Sequence, residues 1–156
     1  MLDITIVAIG QLKEKYFQAA FLEYEKRLRP YVRLKVIELS AQPFFKNEQA
    51  KAKEIEGAKI LNFLEKRVKG DKPAKIYLLA ERGQDFSSSQ LAAWFQKNDP
   101  LILIIGGALG FSETLYKRYP QISLSPLTFP HELSRVILIE QIYRATTILS
   151  NKAYHY

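Results

Sequence analysis

"LILIIGGALGFSE", Leu101 to Glu113, packs five branched apolar residues into an unbroken run, breaks at Gly106-Gly107 and Gly110, and then enters a helix-like segment at Ser112. A continuous apolar run of this length fits a strand buried on both faces, the situation of a parallel sheet covered by helices. Strand, glycine turn and helix in that order are also how nucleotide-binding loops are built. A dinucleotide fingerprint, however, needs Gly-x-Gly-x-x-Gly and an acid about 20 residues later. Here the first two glycines are adjacent and positions 122–130 hold no carboxylate. A P-loop needs Gly-Lys-Ser/Thr, and no lysine lies between Gly106 and Leu115. The turn is therefore not a standard phosphate cradle. Adjacent glycines after a buried strand allow close backbone approach or a positive φ, or make a plain tight turn.

Outward from this stretch, strand-like and helix-like patterns alternate. "ITIVAIG" (Ile4–Gly10) predicts a first buried strand. In "LKEKYFQAAFLEYEKRLRP", Phe17, Ala20, Phe21, Tyr24 and Leu28 recur at three- and four-residue steps, which predicts an amphipathic helix ending before Pro30. "RLKVIELS" (Arg33–Ser40) predicts a second strand ahead of a turn-like "AQPFFKN". From about Glu48 to Lys69 a long charged helix carries a narrow stripe of Ile55, Ala58, Leu61, Leu64 and Val68. "AKIYLLAERG" (Ala74–Gly83) predicts a third strand broken by its glycine. "SSSQLAAWFQKN" predicts a serine-capped helix with Leu91, Trp94 and Phe95 inward. "LILII" is the fourth strand, and Ser112 caps the helix in "SETLYKRYP". "ISLSPLTF" (Ile122–Phe129) predicts a short strand running into a loop. A last helix, "HELSRVILIEQIYRATTILSN", follows Pro130, where a first-turn proline is tolerated. The alternation specifies an α/β fold with a parallel sheet covered on both faces.

A chain of 156 residues, 47% apolar and 25% charged, fits one domain around a sizeable core. No apolar stretch approaches the roughly 18 to 20 residues of a membrane span. The N-terminus opens directly as a strand with Asp3 in it, so neither signal peptide nor membrane anchor is expected, which suits a cytoplasmic protein. With no cysteine, thiolate nucleophiles, disulfides and cysteine-ligated metal are excluded. The net charge of +7 is uneven: residues 1–72 hold 15 Lys/Arg against 10 Asp/Glu. That surplus suits an anionic partner such as nucleic acid, with Lys13, Lys15, Arg27, Arg29, Lys51 and Lys53 as candidate phosphate contacts, or equally a solvated lysine-rich surface.

Other chemistry is sparse. His131 and His155 are the only histidines, so a histidine metal cluster is unavailable and no metal is expected. No serine occupies a Gly-x-Ser-x-Gly elbow. What stands out is a polar set on an otherwise apolar C-terminus: His131, Arg135, Glu140, Tyr143, Arg144, Tyr154 and His155. Arg144 with an aromatic and histidine tail suits phosphate contact plus base stacking; ordinary capping and a frayed end is the alternative. The last helix is apolar over more of its surface than one sheet face buries, through Leu133, Val136, Ile137, Ile139, Ile142, Tyr143, Ile148 and Leu149. This suggests a partner subunit, or else central burial in its own chain.

Three segments, "IGGALGFS", "LSPLTFPHELSRVILIEQIYRA" and the terminal "NKAYHY", resemble the corresponding segments of the RlmH family of ribosomal RNA large subunit methyltransferases, within the SPOUT superfamily. The likeness runs the whole length, and "ITIVAIGQLKEKYFQAAFLEYEKRL" resembles the family's amino-terminal strand and helix. The resemblance implies S-adenosyl-L-methionine as methyl donor and N3 of a pseudouridine in 23S rRNA of the ribosome as acceptor. It implies a parallel-sheet α/β knot in one domain, with a C-terminal trefoil knot and cofactor-binding region over about 74–156, and a homodimer packed through the last helix. By position it places Leu79 over the adenine, Gly106 and Gly107 against the adenosine, and Leu124, Ser125, Pro126, Leu127, Thr128 and Phe129 around the other side. It points to His155 or His131 as proton acceptor, Arg144 on phosphate or a developing oxyanion, and Tyr154 positioning the base. A noncatalytic ribosome-binding module of the same fold, and a knotted methyltransferase acting on transfer RNA, are the alternatives.

Overall fold

The computed structural model describes residues 1–67 and 73–154. The described residues form strands β1 (Leu2–Ile9), β2 (Val32–Leu39), β3 (Lys75–Gln84), β4 (Leu101–Ile105) and β5 (Gln121–Ile122). Between and after them lie helices α1 (Lys15–Leu28), α2 (Gln49–Arg67), α3 (Ser88–Lys97), α4 (Glu113–Arg118) and α5 (His131–Leu149). The strands make one sheet in the order β2-β1-β4-β3-β5, with every pairing parallel.

β4 lies between β1 and β3, and all five of its residues are buried, which is why its apolar run has no polar interruption. Its side chains alternate between two cores. Leu101, Leu103 and Ile105 join Ile4, Ile6 and Ala8 against α1, α3 and α5, through Phe21, Leu28, Phe95, Leu138 and Ile142. Ile102 and Ile104 join Val7 and Ile9 against α2 and α4, through Ile60, Leu64 and Leu115. The result is a three-layer α/β domain with helices on both sheet faces, as the alternation predicted.

Local chemistry fixes the helix ends. Ser87 and Gln90 form a reciprocal capping box on α3, and Ser112 caps α4 by accepting from Leu115 N–H at 3.4 Å. α1 has no side-chain cap of its own; Glu132, from the first turn of α5, instead accepts the backbone N–H groups of Lys13 (2.5 Å) and Glu14 (3.3 Å). Pro130 is the N-cap of α5, one position before its first turn. At the far end Asn151 takes a left-handed φ of 51°, and its N–H returns to Ile148 C=O at 3.1 Å.

Three expectations require correction. The third strand does not break at Gly83 but runs through it to Gln84, with an irregularity in its pairing to β5 between Leu79 and Gln84. The buried face of α2 is Ala52, Glu56, Gly57, Ile60 and Leu64; Ala58 is exposed, and Ile55 and Leu61 are only half-buried. Apolarity alone misplaced the stripe because the helix buries a carboxylate and packs Gly57 close to Ser112, whose Oγ lies 2.8 Å from where a Cβ on Gly57 would stand. Val68 lies outside the described residues. The fifth strand is also shorter than predicted: only Gln121–Ile122 pair, and residues 123–129 form a loop. There the serines satisfy backbone groups locally. Ser123 Oγ donates to Ser125 C=O (2.8 Å) and accepts Ser125 N–H (3.1 Å), and Ser125 Oγ accepts Leu127 N–H (3.1 Å).

Candidate active site

The chain leaves β3, β4 and β5 at the C-terminal edge of the sheet, and there a cleft of about 700 Å³ opens. Open parallel sheets bind ligands at this edge, because the connecting loops converge there. Leu79 and Ile105, the last pair of the β3–β4 register, lie at its floor, where β4 ends and β3 continues alone to Gln84. Residues Gly106 to Phe111 form one wall, and Leu124, Ser125, Leu127, Thr128 and Phe129 form another. His131 and Ser134, in the first turn of α5, border it as well. All the sequence-proposed cofactor positions therefore line one cleft except Pro126, which belongs to the same loop but does not line it.

The adjacent glycines owe their place to crowding. Neither has a positive φ; within this turn that conformation falls on Gly110, at 74°, whose N–H returns to Gly107 C=O at 3.1 Å. A Cβ on Gly106 would stand 3.3 Å from both the Gly110 carbonyl carbon and the Phe111 ring. A Cβ on Gly107 would meet Glu56 Oε2 at 2.9 Å and Ile9 Cγ2 at 3.0 Å. Glu56 is buried, and its other oxygen accepts Gln42 N–H at 2.9 Å. An acid thus backs the glycine turn, supplied from α2 and not from the residues that follow the turn.

Sequence reasoning also missed Arg82, Phe111, Tyr116 and Ser134 among the lining residues. Arg82 holds its guanidinium 3.4 Å from the Tyr116 ring centroid and 3.8 Å from Glu113 Oε1, so its charge is partly engaged at the cleft. Nothing in "ERG" marks this arginine, because its partners come from α4.

The remaining candidates gather elsewhere. Arg144 bonds Glu140 Oε1 through Nη2 (2.6 Å) and Nε (3.1 Å), and its guanidinium lies 4.9 Å from the Tyr154 ring centroid. Tyr154 donates to Glu140 Oε1 at 3.2 Å, lies 3.4 Å from the Tyr24 hydroxyl, and meets Tyr143 edge-on at 4.9 Å. Burial foremost, then the Tyr24 hydrogen bond and the Glu140 charge, push the Tyr154 hydroxyl well above the usual phenol range, so it stays protonated. The Glu140 hydrogen bond likewise raises Arg144, which stays charged. This cluster and His131 sit near opposite ends of α5, about 20 Å apart at 1.5 Å per residue. One chain does not bring them together. His155 lies outside the described residues.

Arg135, which sequence reasoning grouped with this polar set, is buried. Its Nη1 bonds Glu38 Oε1 at 2.6 Å and its Nη2 bonds Gly10 C=O, so it ties α5 to the ends of β1 and β2.

Comparison with known proteins settles the family. A family model described as "Predicted SPOUT methyltransferase" matches residues 2–155. The chain is 38% identical to Ribosomal RNA large subunit methyltransferase H of Lactobacillus acidophilus, with 99% of each chain covered. It is 39% identical to the protein of the same name from Parabacteroides distasonis and 40% identical to that from Lactococcus lactis subsp. cremoris, again over 99% of each chain. This chain belongs to the SPOUT methyltransferase family. It is accordingly a methyltransferase. Among the described residues no cluster suited to holding a metal ion occurs, and no helix is long and apolar enough to cross a membrane.

Proposed function

We propose that this SPOUT methyltransferase transfers a methyl group from S-adenosyl-L-methionine to N3 of a pseudouridine in 23S ribosomal RNA of the ribosomal large subunit, acting as a homodimer in the cytoplasm. The observation that carries the reading is the convergence of Leu79, the Gly106–Gly107 turn, the Leu124–Phe129 loop and His131 on one cleft.

The residues present fit that donor. The cleft's volume lies in the range of small-molecule and cofactor sites, roughly 300–1,000 Å³. Its walls are mainly apolar side chains and loop backbone, which suit an adenine ring whose edge is read by N–H and C=O groups. Among the described residues no lysine lines it, and the one arginine that does stacks on Tyr116, which suits a donor without phosphates. When bound, the donor supplies an electrophilic methyl group on a sulfonium sulfur.

The chain's own work is positioning and proton removal. N3 of pseudouridine is an imide N–H, and its proton must leave for the nitrogen to attack. His131, bordering the cleft, and His155 of the tail are the acceptors we assign. Arg144 holds a phosphate or the developing oxyanion. Tyr154, kept protonated by burial, Tyr24 and Glu140, acts as a donor that orients the base and not as the general base.

Separation of the two groups along α5 supports the homodimer. Two α5 helices packed antiparallel bring one chain's Arg144–Tyr154 end beside its partner's cleft. Leu133, Val136 and Ile137 are only half-buried within one chain, leaving apolar surface for that packing. The knotted return over about 74–156 belongs to the same reading; the Ile122 carbonyl carbon, 2.5 Å from where a Gly83 Cβ would stand, supports a tight passage there.

Labelled S-adenosyl-L-methionine incubated with the protein and ribosomes from cells lacking its gene tests the proposal. Label in large-subunit rRNA is expected. Label in transfer RNA alone, or none with no cofactor bound, overturns it.

A further inference from the structure

We infer that the β2–α2 loop is a base-stacking platform for the RNA substrate, in which Phe44 and Phe45 receive an unpaired nucleobase beside the methyl-transfer cleft and Lys46 meets its phosphate. The inference rests on the reading of RNA as the substrate.

Phe45 is 77% exposed and Phe44 39%, and neither ring belongs to either core. Leaving the Phe45 ring in water, with Phe44 only partly covered beside it, forgoes a burial gain, so their exposure calls for a ligand. The loop that carries them is nonetheless held in place. Gln42 N–H is bound by the buried Glu56 carboxylate, Lys59 Nζ bonds Ser40 C=O at 2.9 Å, and Glu48 N–H closes a turn onto Phe45 C=O at 2.9 Å. The rings are thus presented on fixed backbone, which lowers the ordering cost of binding.

The placement points to the substrate. The loop leaves the C-terminal end of β2, at the sheet edge where β3 and β4 open the cleft. Glu56 connects the two directly: one oxygen holds Gln42, and the other backs Gly107 of the cleft wall. The loop is thereby linked through one carboxylate to the back of the cleft wall.

Size and charge select the partner. One aromatic side chain buries 150–250 Å², so two rings fall far short of the roughly 800 Å² per partner of a stable protein interface. They do match the face of a nucleobase. On their C-terminal side stand exposed Lys46, Asn47 and Glu48, then exposed Lys51; on the other side the only exposed apolar neighbours are small, Ala41 and Pro43. An exposed aromatic pair followed directly by a lysine is suited to stacking an unpaired RNA base with its phosphate alongside.

The test is steady-state methyl transfer to ribosomes from cells lacking the gene, using Phe45→Tyr, Phe45→Leu and the double variant Phe44→Leu/Phe45→Leu. Leucine keeps apolar bulk and removes the flat ring. The double variant is expected to raise KM for ribosomes about tenfold. Its kcat, its affinity for S-adenosyl-L-methionine by titration calorimetry and its oligomeric mass by light scattering are expected to stay unchanged, and Phe45→Tyr is expected to behave as the unaltered chain. An unaltered KM in the double variant overturns the inference, as does a changed oligomeric mass, which would assign the rings to a second copy. If the unaltered chain itself labels no rRNA, the functional reading fails instead.

Discussion

Glu56 Oε2 lies 2.9 Å from the point that a Cβ on Gly107 would occupy, and the carboxylate cannot simply swing aside, because Gln42 N–H holds its other oxygen at 2.9 Å. Ile9 Cγ2, at 3.0 Å on a buried strand, blocks the remaining direction. Gly107→Ala should therefore push the turn into the cleft. Overpacking of this kind costs about 1–3 kcal/mol. Urea denaturation should register that loss, and calorimetry should show weaker S-adenosyl-L-methionine binding. Gly106→Ala, whose nearest contacts are 3.3 Å, should be milder on both. Equal effects of the two substitutions would contradict the crowding argument.

The same carboxylate makes Glu56→Ala informative. Removing it strands the Gln42 N–H, and an unsatisfied donor of this sort costs roughly 1–3 kcal/mol. Stability should fall by that amount, while Glu56→Gln, which keeps an acceptor oxygen, should recover most of it.

Arg135 joins a carboxylate and a main-chain carbonyl from inside the fold, with Glu38 Oε1 at 2.6 Å and Gly10 C=O as its second acceptor. Glu38 is about a third exposed and can be rehydrated, so the cost of losing Arg135 is chiefly that of its packing and of the stranded Gly10 carbonyl, about 1–3 kcal/mol. Arg135→Ala should lose that much in urea denaturation or fail to accumulate. Arg135→Lys, without a planar fork to span two acceptors, should recover only part. An Arg135→Ala protein as stable as the parent would assign the residue a surface role instead.

Deleting Ala153–Tyr156 removes Tyr154 and His155 together and leaves the cleft walls in place. Cofactor affinity should be retained and methyl transfer abolished. A truncated chain that methylates at the normal rate would remove the tail from the mechanism.

Tyr154 also makes a pH prediction. Its folded pKa is raised above the ordinary 10.0, so its hydrogen bonds to Glu140 and Tyr24 stabilise the tail fully below about pH 10 and are lost only as pH climbs through the elevated folded value. Between pH 6 and 9 the tail's anchoring should be constant. Ultraviolet titration of tyrosinate should find one tyrosine, absent in Tyr154→Phe, that ionises later than the rest.

The central strands were readable from residues because they bury both faces: "LILII" has no polar interruption and "ITIVAIG" has only the small, buried Thr5. Helix starts were readable at Ser87 and Ser112, where a hydroxyl does the capping. What escaped was polar chemistry inside the fold. Apolar periodicity could not foresee that Glu56 and Gly57 face inward on α2, nor that after one last bond from Ser123 N–H to Gln84 C=O the chain would turn on the hydroxyls of Ser123 and Ser125. The cleft's neutral loops followed from family resemblance; the glycine turn alone left a tight turn and a binding wall equally open. Arg82 and Tyr116 were invisible for another reason, since they meet only through the packing of α4 near the end of β3.

The central claim concerns one methyl group on one base. Mass mapping of large-subunit rRNA from cells with and without the gene, followed by addition of purified protein and S-adenosyl-L-methionine, tests it most directly. The expected result is a single methyl missing from one pseudouridine and restored by the protein. An rRNA map that is identical in the two strains would contradict it.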